Sequence, residues 1–158
     1  MTRQTIPLTT FTLCDAEPGS GIDDVRRRPE SDWLPAPVPG GVHEALLAAG
    51  RIADPYFDRN EVSVRWVEER DWWYRAMLPA APSPPIGRTL LVCRGLDTLA
   101  DLWLDGQPLG HSENMFRPST FDVTGRLGLG LRPAVAVDRA VATGRSGAGI
   151  WCCAERTP

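Results

Sequence analysis

The chain has 158 residues, 42% of them hydrophobic and 23% charged, with a formal net charge of −3. That length suits one domain with a core of its own, and the mild acidity excludes a general binder of nucleic acid or of anionic membranes. All 17 basic residues are arginine, which points to a GC-rich coding sequence, and the only basic run, Arg26 to Arg28, is flanked by Asp23, Asp24 and Glu30 and reads as a solvated loop.

In chain order, Ile6 to Cys14 carries a β-favouring mix of Thr, Phe and Leu. Asp15 to Asp32 is rich in Gly, Asp, Arg and Pro and reads as a long loop. Val42, Ala45, Leu46 and Ala49 share one face at helical spacing, and Gly50 stands where a helix C′ residue belongs. Val62 to Val67 alternates as a strand, and Trp72 to Leu78 follows as another. Pro79, Pro82, Pro84 and Pro85 break the chain. Thr89 to Cys93 and Leu99 to Leu104 are the clearest strands, and the second runs into Asp105-Gly106, a two-residue hairpin signal because both positions tolerate positive φ. Phe121 to Val123 is a further short strand. Many short strands, turn-rich connections and one short helix predict an all-β sandwich.

The first ten residues lack the pattern of a signal peptide, and no apolar run approaches the roughly 20 residues that span a bilayer. The four cysteines, Cys14, Cys93, Cys152 and Cys153, make no metal motif. A reduced, cytoplasmic protein is the expectation.

Beyond periodicity, an ordered series of short motifs runs along the chain. It contains Val38-Pro39-Gly40-Gly41-Val42-His43, Asp54-Pro55-Tyr56, Asn60-Glu61, Trp66-Val67-Glu68 and Asp71-Trp72-Trp73-Tyr74. It continues with Gly95-Leu96-Asp97-Thr98, Leu104-Asp105-Gly106, Asn114-Met115-Phe116 and Phe121-Asp122-Val123-Thr124. From about Trp33 to Gly128 this series resembles the N-terminal domain of bacterial β-mannosidases of glycoside hydrolase family 2. The resemblance implies a jelly-roll β-sandwich of the galactose-binding type over residues 1–130. It implies a non-catalytic domain without cofactor, and as partners a β-mannoside and a catalytic barrel, on the same chain or on a separate subunit. In the family that barrel carries two catalytic glutamates, about 5–5.5 Å apart in a retaining glycosidase. A barrel of that kind takes about 250 residues, so neither glutamate is expected here. A stand-alone carbohydrate-binding module and a structural interaction domain remain as alternatives.

Past Gly130 the resemblance fades, and the family's Trp-Asp-Trp-Gly motif is not found. Residues 131–158 are expected to be a degraded last strand, with Val135 and Val137 alternating, and then an atypical tail, frameshifted or disordered. Marginal stability is the corresponding expectation.

No residue is expected to be catalytic. Glu68 and Glu69 fall on opposite faces if the segment is a strand, so they cannot act as an acid/base pair. Trp66, Trp72, Trp73 and Trp103 suit sugar stacking, but core or interdomain packing is the stronger reading, with at most one of the consecutive pair Trp72-Trp73 pointing inward if the segment is a regular strand. His43 and His111 lack partners for catalysis, and Asp97 and Thr98 read as turn-binding groups. Asn60 is the one candidate substrate-binding residue. The resemblance implies that its loop approaches the sugar pocket of a full-length enzyme, and the alternative is a loop amide that holds its own turn.

Overall fold

The computed structural model describes residues 4–78, 87–126, 134–138 and 150–157, the last two segments by their backbone. Among the described residues, ten strands form two antiparallel sheets. β1 (Gln4–Leu8), β5 (Arg88–Leu96), β8 (Ser119–Asp122) and β10 (Ile150–Thr157) make a four-stranded sheet in the order β1-β10-β5-β8. β2 (Thr10–Ala16), β3 (Leu34–Pro37), β4 (Asp71–Met77), β6 (Ala100–Leu104), β7 (Gln107–Ser112) and β9 (Ala134–Asp138) make a six-stranded sheet in the order β3-β2-β4-β9-β6-β7. One core cluster joins them, with Leu13, Tyr74, Leu102 and Leu104 from the larger sheet and Leu8, Leu91, Cys93 and Leu96 from the smaller. The predicted β-sandwich is the observed architecture.

Alternation explains most of the strands. On β6, Ala100, Leu102 and Leu104 are buried, while Asp101 and Trp103 between them are partly exposed. The turn after it places Asp105 at φ 52° and Gly106 at φ 78°, the doubly left-handed geometry that a two-residue hairpin requires. Across the sandwich, Gly110 on β7 lets the Phe121 ring lie against the backbone, since a Cβ there would meet Phe121 Cε1 at 2.3 Å.

The predicted helix is α2 (Val42–Ala48), with Val42, Ala45 and Leu46 buried. Glu44 Oε2 accepts the Gly41 N–H at 3.0 Å, which satisfies one of the orphan donors at the helix start. Gly50 closes the other end at φ 65°.

Two expectations are corrected. The predicted loop 15–32 instead completes β2 and then folds into α1 (Ile22–Arg26) and a 3₁₀ turn, Glu30–Asp32. These lie over the outer face of the six-stranded sheet, where Cys14, Ala16, Val25, Trp33 and Trp73 form a second buried cluster. Trp72 and Trp73 are therefore both buried, Trp72 in the main core and Trp73 beneath this cover.

The second correction concerns the predicted strand 62–67. It is α3 (Asn60–Ser63) followed by a 3₁₀ turn, Arg65–Glu69. Val64 and Val67 are both buried, and the Val67 N–H donates to the Val64 carbonyl at 3.0 Å. Spacing by three is the period of a 3₁₀ turn, whose side chains eclipse at i and i+3. The opposite-face argument for Glu68 and Glu69 falls with the strand, and both are exposed on the turn.

Beyond residue 130, where a degraded strand and an atypical tail are expected, the backbone contains two strands. β9 lies between β4 and β6, with Val135 opposite Ala76 and Val137 opposite Tyr74. β10 lies between β1 and β5.

Candidate functional site

The exposed apolar side chains concentrate on turns rather than on a sheet face. Tyr56 is 99% exposed, Phe57 71% and Phe116 85%, with Val62 and Trp66 also exposed. Asp54 builds the first turn. Its Oδ1 accepts the Tyr56 N–H at 2.9 Å, and its carbonyl accepts the Phe57 N–H at 3.1 Å and Asn60 Nδ2 at 2.9 Å. This side-chain-to-backbone bond two residues on is an Asx turn. Asn114 repeats the device, its Oδ1 accepting the Phe116 N–H at 2.9 Å. Both turns are held by their own polar groups, so the aromatic rings are not needed to fold them.

The ladder relates these segments. The chain carrying Tyr56, Phe57 and Trp66 enters β4 at Asp71, and the loop carrying Phe116 leaves β7 after Ser112. Trp73 pairs with Asp138, Asp138 with Asp101, and Asp101 with His111. The start of β4 and the end of β7 therefore lie at the same end of the six-stranded sheet. Trp66 is fixed there by its ring against Trp72, 5.9 Å between centroids, and Trp72 Nε1 donates to the Val67 carbonyl at 2.8 Å.

Asn60, the predicted substrate-binding residue, sits half-buried at the start of α3 with its Nδ2 bonded to Asp54. It is next to the exposed aromatics and holds their turn. Trp73 and Trp103 pack on each other at 5.3 Å on the outer face. His111 Nδ1 and Asp101 Oδ1 are 2.7 Å apart across β6 and β7, and His43 is half-buried in the first turn of α2. Thr98 Oγ1 donates to Asp97 Oδ1 within the turn between β5 and β6.

Residues with shifted titration are scattered. Hydrogen bonds from the Thr124 hydroxyl and N–H hold Asp122 well below the usual carboxylate range, and Arg88 adds to the effect. Burial pushes the Tyr74 phenol up, with Glu44 adding to it. The Glu17 carboxylate raises Arg70, which also bonds Asp15. These are a sheet edge, a core and a loop clasp, so no two of them share a site. Among the described residues, no group of three or more His, Cys, Asp or Glu could hold a metal ion, and no helix is long and apolar enough to cross a membrane.

Sequence reasoning missed Tyr56, Phe57 and Phe116 as surface features. The available signal was an aromatic residue two positions after Asp54 or Asn114, outside any apolar periodicity.

The profile of the family described as glycosyl hydrolase 2 galactose-binding domain-like matches residues 24–147. The chain belongs to this family. The match runs past residue 130 and takes in β9. Among curated relatives of this galactose-binding-like domain, β-mannosidase B of Emericella nidulans is 41% identical over 116 residues, covering 72% of this chain and 14% of the relative. β-Mannosidase B of Thermothelomyces thermophilus is 40% identical over 98 residues, covering 61% of this chain and 12% of the relative. The chain thus spans about one seventh of the length of the first relative. Among solved structures, the β-D-mannosidase of Dictyoglomus thermophilum superposes with a TM-score of 0.72 at 26% identity, covering 87% of this chain and 16% of that one. The exo-chitosanase of Amycolatopsis orientalis, at 21% identity and a TM-score of 0.65 over 98% of this chain and 16% of its own, shares the fold.

Proposed function

We propose that this chain serves as the front, non-catalytic β-sandwich of a β-mannosidase, a protein that hydrolyses terminal non-reducing β-D-mannose residues. The observation that carries the reading is the 41% identity over 116 residues with β-mannosidase B. The aligned stretch is 14% of that relative, which leaves the acid/base and nucleophile to the rest of such a protein. In this reading the exposed aromatic turns meet the catalytic body, carried on the same polypeptide or on a separate subunit. Rings held by Asx turns supply apolar contact area at small ordering cost, as aromatic anchors do at interfaces. The Asp54 bond uses one of the four hydrogen-bonding positions of the Asn60 amide, leaving capacity for a sugar hydroxyl in the assembled enzyme.

A second reading, a stand-alone carbohydrate-binding module, is favoured by one observation. Tyr56 and Phe57 present rings of the kind that stack on a pyranose, and they are 99% and 71% exposed. Two assays on the purified chain separate the readings. The proposal expects no hydrolysis of an aryl β-D-mannoside and no heat of binding in a calorimetric titration with mannose. Hydrolysis would overturn the non-catalytic assignment. Saturable heat that disappears in Tyr56→Ala and Phe57→Ala would favour the module.

A further inference from the structure

The four-stranded sheet brings two cysteines together that lie far apart in sequence. Cys152 on β10 is the Cα partner of Cys93 on β5 and of Leu8 on β1, with a register shift between Trp151 and Cys152. Leu8 and Cys93 both belong to the main core cluster, and Cys93 is 0% exposed. Directly opposite residues of an antiparallel pair have Cα atoms about 4.5–5.5 Å apart. A disulfide spans Cα separations of about 4.4–6.8 Å. We propose that Cys93 and Cys152 form a reversible cross-strand disulfide that fastens β10 into the sandwich.

The placement of the other two cysteines makes this pairing selective. Cys153 is the partner of Val92 and of Pro7, one step further along the ladder. Adjacent to Cys152, it is also poorly placed to bridge to it. Cys14 is on β2, in the other sheet, and packs in the outer cluster with Trp33 and Trp73. Four cysteines permit three complete connectivities, and the register favours the single bond between residues 93 and 152 over any of them.

The chemistry is thiol–disulfide exchange with a small disulfide such as oxidised glutathione. One protein thiolate attacks the glutathione disulfide and releases one reduced glutathione. The second protein thiolate attacks the resulting mixed disulfide and releases another. The two electrons and two protons lost by the cysteine pair end on the two glutathione thiols. Because Cys93 is buried, exchange proceeds while the chain folds or when β10 lifts from β5. The bond closes a loop from residue 93 to 152, so its effect acts through the unfolded chain.

The test is refolding of the full chain in a glutathione redox buffer, followed by intact mass, non-reducing peptide mapping and thermal melting. The expected product has lost two hydrogens, yields a peptide linked through Cys93 and Cys152, and melts about 5–10 °C above the reduced chain. Cys152→Ser removes the link, whereas Cys14→Ser and Cys153→Ser retain it. Mapping of the wild-type chain keeps the test independent of whether Cys93→Ser folds. A link through any other pair, a chain that stays fully reduced, or a linked chain with an unchanged melting temperature would each overturn the proposal.

Discussion

Trp72 and Trp73 are neighbours on one strand, yet each is only 1% exposed, because β4 is covered on both faces. Trp72 lies between the sheets and Trp73 lies under the α1 segment with Trp33 and Val25. The indole N–H groups differ. Trp72 donates to the Val67 carbonyl at 2.8 Å, whereas Trp73 Nε1 has no partner among the described residues.

This difference yields a paired prediction. Trp72→Phe and Trp73→Phe remove the same volume, but only the first breaks a hydrogen bond and strands a buried carbonyl. Trp72→Phe is expected to cost about 1 kcal/mol more than Trp73→Phe. Urea midpoints of the two variants check it, and equal losses would contradict the assigned bond.

The contact between Gly110 and the Phe121 ring gives a second prediction. A Cβ at Gly110 would approach Phe121 Cε1 to 2.3 Å, and the ring is a rigid obstacle rather than a flexible tip. Gly110→Ala is expected to destabilise the chain by about 1–3 kcal/mol, and truncation of Phe121 in the same chain should recover part of that loss. The double-mutant cycle measured by denaturant unfolding is the check.

Much of this was legible in the residues. Alternation in β6, the Asp105-Gly106 turn and the α2 periodicity lead directly to the elements found. The ordered motifs between Trp33 and Gly128 lead to the family. The segment from Val62 to Val67 was misleading because Val62, Val64 and Trp66 alternate as a strand would, while the burial that decides the matter is at Val64 and Val67. The cover over Trp73 was hidden for another reason: a short polar helix with one buried valine carries too little periodicity to stand out. The exposed rings are not legible in the sequence because solvent exposure of an aromatic is a property of its turn, not of its residue type.

Acid sensitivity follows from Asp122. Its folded pKa is depressed by Thr124 and Arg88, so the unfolded chain takes up the proton more readily. The contribution to stability is complete above the unfolded carboxylate value of about 4 and is lost as pH falls through the folded one. Asp122→Asn is therefore expected to flatten the fall of the urea midpoint below about pH 4, with a small change at neutral pH. An unchanged acid limb would contradict the assigned partners.

The exposed turns give the opposite expectation for stability. Tyr56→Ser and Phe57→Ser remove rings that the described structure does not bury, and the Asp54 bonds to the backbone remain. Each substitution should change the unfolding free energy by less than about 0.5 kcal/mol. A large loss would mean that the rings hold the turn rather than face outward.

In the proposed function, this sandwich works by presenting those rings to a catalytic body. The direct measurement replaces the matching domain of Emericella nidulans β-mannosidase B with this chain and assays hydrolysis of an aryl β-D-mannoside. The predicted result is an active chimera whose rate falls at least about tenfold, with folding intact, when Tyr56, Phe57 and Trp66 are replaced together by serine. A chimera whose rate is unaffected by that replacement would contradict the claim.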